Sequence, residues 1–450
     1  MPDIARLTGR FKKLELPAEP RRVRPRNTEQ IAEVLRDRKR FPSPVRAQGA
    51  NSAATRCAKV HGGTVLDMSG MNRVLRLDRK TVTVEAGIRL RDLVRFLADH
   101  RLELLAADEQ LDRSIGGIIS SASLCSSTAM DEPHLAASVC GLGLVTPGGR
   151  VLDFDTGKPQ MLQLLRQSYG LMGVIHEVTL RVRPYTHYKV RHGKMGFAEL
   201  ANLVPQLAAA TAGVKIYLLP FRDRAFMELR DAGMAGARAR SKAWRLGDWL
   251  SNKLLPDIVH LLRRIPGRRL RDPLIDGFSE ATQALVNTRL VDAGSNSMEQ
   301  THKFRRVGSE ARIQQSTWAF PAREFAGVLY SYREYCRRYY KTKSFRCDLP
   351  AVVYRLAQDS NAMLAPGFDG PVFALSLRTT VTAGWDDFLV DFAAIAARFG
   401  GAPLFNMTRG FSPEHAAKAY GVRLAKFRAL RQQMDPQDRL LNQFFAEHIG

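Results

Sequence analysis

Residues 47–53 read AQGANSA and lie between a strand-like Val45-Arg46 and the apolar run TVLDMS that begins at Thr64. Gly49 allows a tight turn, Ala50 keeps the loop slim, and Gln48, Asn51 and Ser52 add polar groups. Such a loop exposes backbone N–H groups that suit a pyrophosphate. A second stretch, DRSIGGIISSASLCSS (112–127), repeats the pattern with Ser114, Gly116, Gly117, Ser121 and Ser123. A third, SYGLMGVIHEVTLRVRP (168–184), has Gly170 and Gly173 just before a strand-like run. Three small-residue loops, each beside a strand, predict one extended ligand threaded along a domain. The dinucleotide fingerprint G-x-G-x-x-G is missing, since Gly141-Leu142-Gly143 has no third glycine at the required spacing. Cys57, Cys125, Cys140, Cys336 and Cys347 form no CxxC pair and no metal-ligand spacing, so reduced thiols and no metal are expected.

The elements that must carry these loops read as mixed α+β. In the first 185 residues, β signals at 64–74, 81–87, 142–154 and 174–184 alternate with helical patterns at 28–41, 89–102 and 158–170. Thr28 is the expected N-cap of the first helix and Gly170 the expected stop of the third. Pro147-Gly148-Gly149 reads as a hairpin turn. From residue 186 to about 410, runs such as VKIYLLPF, PAVVYRLAQ and GPVFALSLRT predict a second, sheet-containing domain with flanking helices. The tail reads as a helix, an Asp435-Pro436 break and a final short helix.

A net charge of +24 over 450 residues favours anionic partners, although the arginines are spread along the whole chain. No helix-turn-helix, zinc or RNP pattern accompanies the charge, so no nucleic-acid partner is expected. No apolar run reaches the ~18 residues of a membrane span, which predicts a cytoplasmic protein. Residues 236–273 hold ten Lys/Arg together with Trp244, Trp249 and a Leu/Ile stripe. Two basic amphipathic helices broken at Pro256 would give this pattern. They could lie on an anionic membrane surface as a peripheral contact, pack as an insertion on their own domain, or act as a lid.

The order R-x-x-G-x-x-S … DMSGMNRV … TVTVEAG … SIGGIISS … LVTPGGRV … GLMGVIHEVTLRVRP resembles the FAD-binding (PCMH-type) domain of the vanillyl-alcohol oxidase flavoprotein superfamily. The tail, Asp435-Pro436 … Asn442-Gln443-Phe444-Phe445, is similar to the branch of aldonolactone, alditol and decaprenylphosphoryl-ribose oxidases. The resemblance implies an FAD-binding domain of two small α/β subdomains over 1–185, and a substrate domain with an antiparallel sheet over 186–410. Helices over 411–450 would pack back on the FAD domain. It implies FAD contacts from Gln48, Gly49, Ala50, Asn51 and Ser52, from Ser114, Gly116 and Gly117, from Ser121 and Ser123 beside the flavin, and from the Ile175 backbone. Many members carry a flavin-bonding histidine near Asn51, and a His-Gly pair near Leu124-Cys125. Neither is present, so non-covalent FAD is expected. A lysine common in the family falls at Thr408 or Arg409, within GGAPLFNMTRGF (400–411). Asn406, Thr408 and Arg409 are therefore the expected catalytic positions, with Arg409 as an electrostatic stabiliser rather than a base. His302, Tyr354 and Arg378 are expected to be structural or surface residues.

The implied activity is oxidation of a CH–OH group of a sugar, polyol, aldonolactone or lipid-linked sugar by hydride transfer to flavin N5. An altered flavoprotein that tailors a larger metabolite, or a non-catalytic scaffold, are the alternatives.

Overall fold

The computed structural model describes residues 19–125, 132–186, 188–232, 246–247, 249–287, 295–296 and 313–450. His302 and Trp244 lie outside the described residues.

Strands β1 (Arg21–Val23), β2 (Val45–Gln48) and β3 (Thr64–Asp67) form a parallel sheet in the order β1-β3-β2. Parallel pairing needs a crossover, which the helix Thr28–Arg36 supplies by burying Ile31, Ala32, Val34 and Leu35. Its cap is Asn27 rather than Thr28. Asn27 sits in extended backbone, and its side chain accepts from the Gln30 N–H.

The second sheet is antiparallel. It holds β4 (Val74–Leu77), β5 (Thr81–Glu85), β6 (Leu102–Leu104), β7 (Val139–Val145), β8 (Val151–Asp155) and β9 (Val174–Pro184), in the order β4-β5-β9-β7-β8 with β6 also on β9. The β7–β8 hairpin turns at Gly149, whose φ of 78° needs glycine. The helix expected to reach Gly170 stops at Leu165, because Arg166 leaves it in extended backbone. Gly170 (φ 67°) shapes the following loop instead.

The third sheet comprises β10 (Tyr188–Met195), β11 (Gly213–Leu219), β12 (Arg224–Ala232), β13 (Ser295–Asn296), β14 (Gln314–Pro321), β15 (Ala351–Leu356), β16 (Val372–Thr379) and β17 (Ala402–Pro403). Its order is β13-β10-β12-β11-β15-β16-β14-β17 and every pairing is antiparallel. β12, RAFMELRDA, has mixed charges and was not legible as a strand. Alternation divides this sheet's side chains between two faces. Val214, Ile216, Leu218, Val353, Phe373 and Leu375 pack under the helices Phe197–Ala209, Phe325–Lys343 and Trp385–Arg398. Tyr217, Val352, Tyr354 and Ala374 pack on the other face, together with Ala122, Leu404 and Met407.

The described part of 236–273 packs on the third-sheet region. Leu255, Val259 and Ile275 are buried with Leu349. Pro256 does not break a helix; it lies in the first turn of Leu255–Leu262, where its missing N–H is tolerated. The break falls at Gly267 (φ 87°), before Arg268–Leu285. No helix among the described residues is long and apolar enough to cross a membrane.

The tail is two helices, Pro413–Tyr420 and Val422–Met434, divided at Gly421 (φ 52°), then Gln443–His448 after the Asp-Pro break. Arg439 is fully buried and ties the tail to the first sheet. Its guanidinium donates to the Leu35 carbonyl at 3.1 Å, the Val34 carbonyl at 2.6 Å and Ser43 Oγ at 2.9 Å. Arg439→Met should lower the unfolding free energy by about 3 kcal/mol in urea denaturation, because two buried carbonyls lose a charged donor. A loss below about 1 kcal/mol would show that the tail is held elsewhere.

Candidate active site

Two cavities meet between the first 185 residues and the third sheet. Both are lined by Gln110, Gln315 and Met407.

The first cavity, about 730 Å³, runs along the loop after β2. Arg46 supports its wall. This buried guanidinium donates to the carbonyls of Tyr169 (2.5 Å), Leu440 (3.1 Å), Gly170 (3.3 Å) and Cys57 (3.4 Å). Burial lowers its pKa to about 10, so it stays charged at neutral pH. Gly49 has no room for a side chain, since a Cβ there would stand 1.8 Å from Ser114 Oγ. Ser114 caps the short turn Ile115–Ile119 by accepting from the Gly117 N–H at 3.3 Å. Asn51 adopts a left-handed φ of 53°, which asparagine tolerates better than most residues. Arg113 holds the second loop by donating to Asp108 Oδ2 (2.7 Å) and Ser121 Oγ (2.6 Å). Burial raises the pKa of Asp108 against the pull of Arg113.

Asn406 borders the same cavity. Its Nδ2 donates to the Ala122 carbonyl at 2.9 Å, while its buried Oδ1 has no hydrogen-bond partner among the described residues. Arg46 Nε is in the same state. Buried polar atoms of this kind are costly unless a ligand or water meets them. A slim, backbone-rich cradle bordered by two unmet polar atoms fits a large polar cofactor such as FAD.

The second cavity, about 620 Å³, lies on the open face of the third sheet. Strand alternation turns Lys215, Tyr217, Val352, Tyr354, Ser376 and Arg378 towards it. Lys215 Nζ donates to Glu109 Oε2 at 2.9 Å and stands 5.5 Å and 5.2 Å from the ring centroids of Tyr217 and Tyr354. Arg378 donates to Asn252 Oδ1 at 3.2 Å, so the basic insertion supplies part of the cavity wall.

A backbone-rich cradle beside a polar cavity on an antiparallel sheet fits an FAD-binding flavoprotein. Residues 20–155 match the FAD binding domain, and residues 178–448 match the D-arabinono-1,4-lactone oxidase family. The chain belongs to that family and is an FAD-linked oxidoreductase. L-gulono-1,4-lactone dehydrogenase of Mycobacterium tuberculosis is 23% identical over 434 residues, covering 95% of each chain. Mouse L-gulonolactone oxidase is 24% identical over 435 residues, covering 94% of this chain and 93% of its own. The cholesterol oxidase of Brevibacterium sterolicum superposes with a TM-score of 0.74 at 15% identity, covering 95% of this chain and 94% of its own, and shares the fold.

Of the expected cofactor contacts, Gln48, Gly49, Ala50, Asn51, Ser52, Ser114, Gly117 and Ser121 line the first cavity. Gly116, Ser123 and Ile175 do not. Gly116 packs on β5, where a Cβ would come within 2.9 Å of Ala86 Cβ. Ile175, the second residue of β9, is buried in the core.

The expected catalytic trio separates. Asn406 lines the first cavity, but Thr408 and Arg409 line neither. Residues 404–408 form a turn, in which the N–H groups of Met407 and Thr408 both bond the Leu404 carbonyl. The Thr408 hydroxyl accepts from the Leu404 N–H and donates to the Thr317 carbonyl. Arg409 instead reaches Gln314 (2.8 Å) and the exposed Asp386 (2.6 Å). Tyr354 and Arg378, expected to be structural or surface groups, line the second cavity. Lys215, Glu109 and Arg113 were missed because no local pattern marks them.

Gly49→Ala should yield protein with little bound FAD, measured as flavin absorbance per chain. Gly49→Ala/Ser114→Gly should restore it, because the clash is with Ser114. Full FAD content in the single variant would show that the loop and Ser114 can move apart.

Proposed function

We propose that this chain oxidises a CH–OH group of an aldonolactone or a similar cyclic polyol, with FAD held non-covalently. Residues 1–185 would hold the FAD, 186–410 the substrate, and 411–450 would close the first sheet. The observation that carries the reading is the junction of the two cavities at Gln110, Gln315 and Met407, where the two ligands would touch. Bound FAD supplies a two-electron acceptor for the hydride that leaves the carbinol carbon. The chain's own groups do the rest. Asn252, Ser376 and Arg378 offer donors and acceptors for several hydroxyls, and Tyr217 and Tyr354 offer flat apolar faces. Met407, which lines both cavities, would give the junction an apolar wall.

Non-covalent attachment follows from the side chains beside the cradle. Asn51 carries an amide, which is no nucleophile. Cys125 is buried, is not a lining residue, and donates its thiol to the Pro133 carbonyl at 2.9 Å. Acid precipitation should release all flavin to the supernatant, and anaerobic L-gulono-1,4-lactone should bleach the flavin of the native protein. Flavin pelleting with the denatured chain would refute the first statement. A spectrum indifferent to aldonolactones but bleached by open-chain alditols would move the substrate class.

A peripheral membrane contact is favoured by one feature of the helix pair Leu255–Leu262 and Arg268–Leu285. Leu261 and Leu270 are each 60% exposed, and the exposed Arg264, Arg268 and Arg269 lie beside them. This combination suits an anionic lipid surface. The protein should sediment with phosphatidylglycerol vesicles but not with phosphatidylcholine vesicles. Leu261→Ser/Leu270→Ser should abolish that binding without loss of FAD; undiminished sedimentation of the variant would exclude this surface.

A further inference from the structure

Oxidation of a carbinol requires a group to take the hydroxyl proton, and the expected trio supplies none. Thr408 and Arg409 face elsewhere, and Asn406 carries a neutral amide. The described ionisable side chains lining the second cavity are Asp108, Glu109, Lys215, Tyr217, Tyr354 and Arg378. Asp108 is committed to Arg113 and to the Gln110 N–H, both at 2.7 Å. Arginine does not give up its proton, and tyrosines are protonated donors near neutral pH. Lys215 already donates to the Glu109 carboxylate. Glu109 remains.

We infer that Glu109 is the catalytic base of this enzyme and that Lys215 is its positioning residue. This rests on the CH–OH oxidation proposed above. The position fits. Glu109 is one residue from Gln110, which lines both cavities, and its own N–H is pinned to the Leu124 carbonyl at 2.9 Å. Lys215 Nζ fixes Oε2 at 2.9 Å. Oε1 of the same cavity-lining carboxylate stands 3.9 Å from Arg230 Nη1. The side chains of Lys215 and Glu109 are 9% and 8% exposed, so the pair acts in a poorly hydrated site.

Behind the pair, Arg230 Nε donates to Glu228 Oε1 at 2.7 Å, and neither residue lines the cavity. The charges that face Glu109 are thus Lys215 on β11, Arg230 and Glu228 on β12, Asp108 and Arg113 on its own segment, and Arg378 on β16. His192 on β10 pairs across the strands with Glu228. Lys215 and Arg230 offset the charges of Glu109 and Glu228.

The step balances. The O–H and C–H bonds of the carbinol break and C=O forms. The O–H proton passes to the Glu109 carboxylate, which becomes a neutral acid and later returns the proton to water. Bound FAD would supply the acceptor for the hydride and both its electrons, so the oxidation of the carbinol would be balanced by reduction of the cofactor.

The test is stopped-flow flavin reduction under anaerobic conditions with a panel of aldonolactones and alditols. Alongside it, the affinity for the same compounds is measured by calorimetry on protein whose flavin is already reduced, where no turnover occurs. Glu109→Gln should slow reduction on the order of 100-fold or more while changing affinity and FAD content less than about threefold. Since the base must be ionised, wild-type reduction should be full above the pKa of Glu109 and fall below it, and Glu109→Gln should lose that dependence. Glu109→Ala should regain rate on addition of formate, a small external carboxylate. If the lone Lys215 charge prevents Glu109→Gln from folding, Glu109→Gln/Lys215→Met carries the same comparison without a lone buried charge. Reduction within about threefold of wild type in either folded variant overturns the inference. So does a rate loss matched by an equal loss of affinity, with no formate rescue. A wild-type flavin that no compound of the panel reduces overturns the functional reading, and this inference with it.

Discussion

Arg46 is the constraint on which the cofactor half depends. A buried guanidinium is costly unless its donors are met, and no carboxylate among the described residues pairs with this one. It is met instead by four carbonyls, from Cys57, Tyr169, Gly170 and Leu440. Those carbonyls belong to the loop after β2, the loop before β9 and the C-terminal tail. One planar fork therefore joins three distant parts of the chain and sets the depth of the cradle. Arg439 repeats the device from the tail, and Asn442 adds bonds to the Cys57 and Lys59 carbonyls at 3.0 Å and 2.9 Å.

The substrate half is built on a different balance. On the open face of the third sheet, Lys215, Arg230 and Glu228 meet Glu109 from the segment after β6, all with side chains at most 9% exposed. Such a network is rarely the most stable filling for a protein interior, because desolvation offsets most of the attraction. Its cost is understandable where a polar substrate must be held and a proton moved. The opposite face of the same strands is apolar and packed under three helices, and there the sheet gains its stability.

Much of the fold was legible. The long alternating run of β9, the β7–β8 turn at Gly149 and the amphipathic helices all follow from local periodicity and glycine conformation. Errors fell where neighbours decide. Asn27 outcompeted Thr28 for the cap because the chain enters the helix one residue earlier in extended backbone. Pro256 was tolerated at a helix start. Thr408 and Arg409 follow Asn406 closely in sequence, yet their side chains turn to Leu404, Thr317, Gln314 and Asp386 rather than to the cavity that Asn406 lines.

The family resemblance carried by the order of small-residue loops implied FAD from the sequence, and Asn51 and Leu124-Cys125, where many members have a histidine and a His-Gly pair, led to the expectation of non-covalent FAD. Backbone cradles depend on local glycine and serine patterns, which survive in one dimension. The substrate cavity did not. Glu109 follows an apolar segment, Lys215 lies mid-strand, and Asn252 belongs to a basic insertion; nothing local links them. They meet because β11 pairs with β15 and β15 with β16, placing every second side chain on one face, and because the insertion folds back over that face. Strand partners far apart in the chain set that register, and only the tertiary structure chooses them.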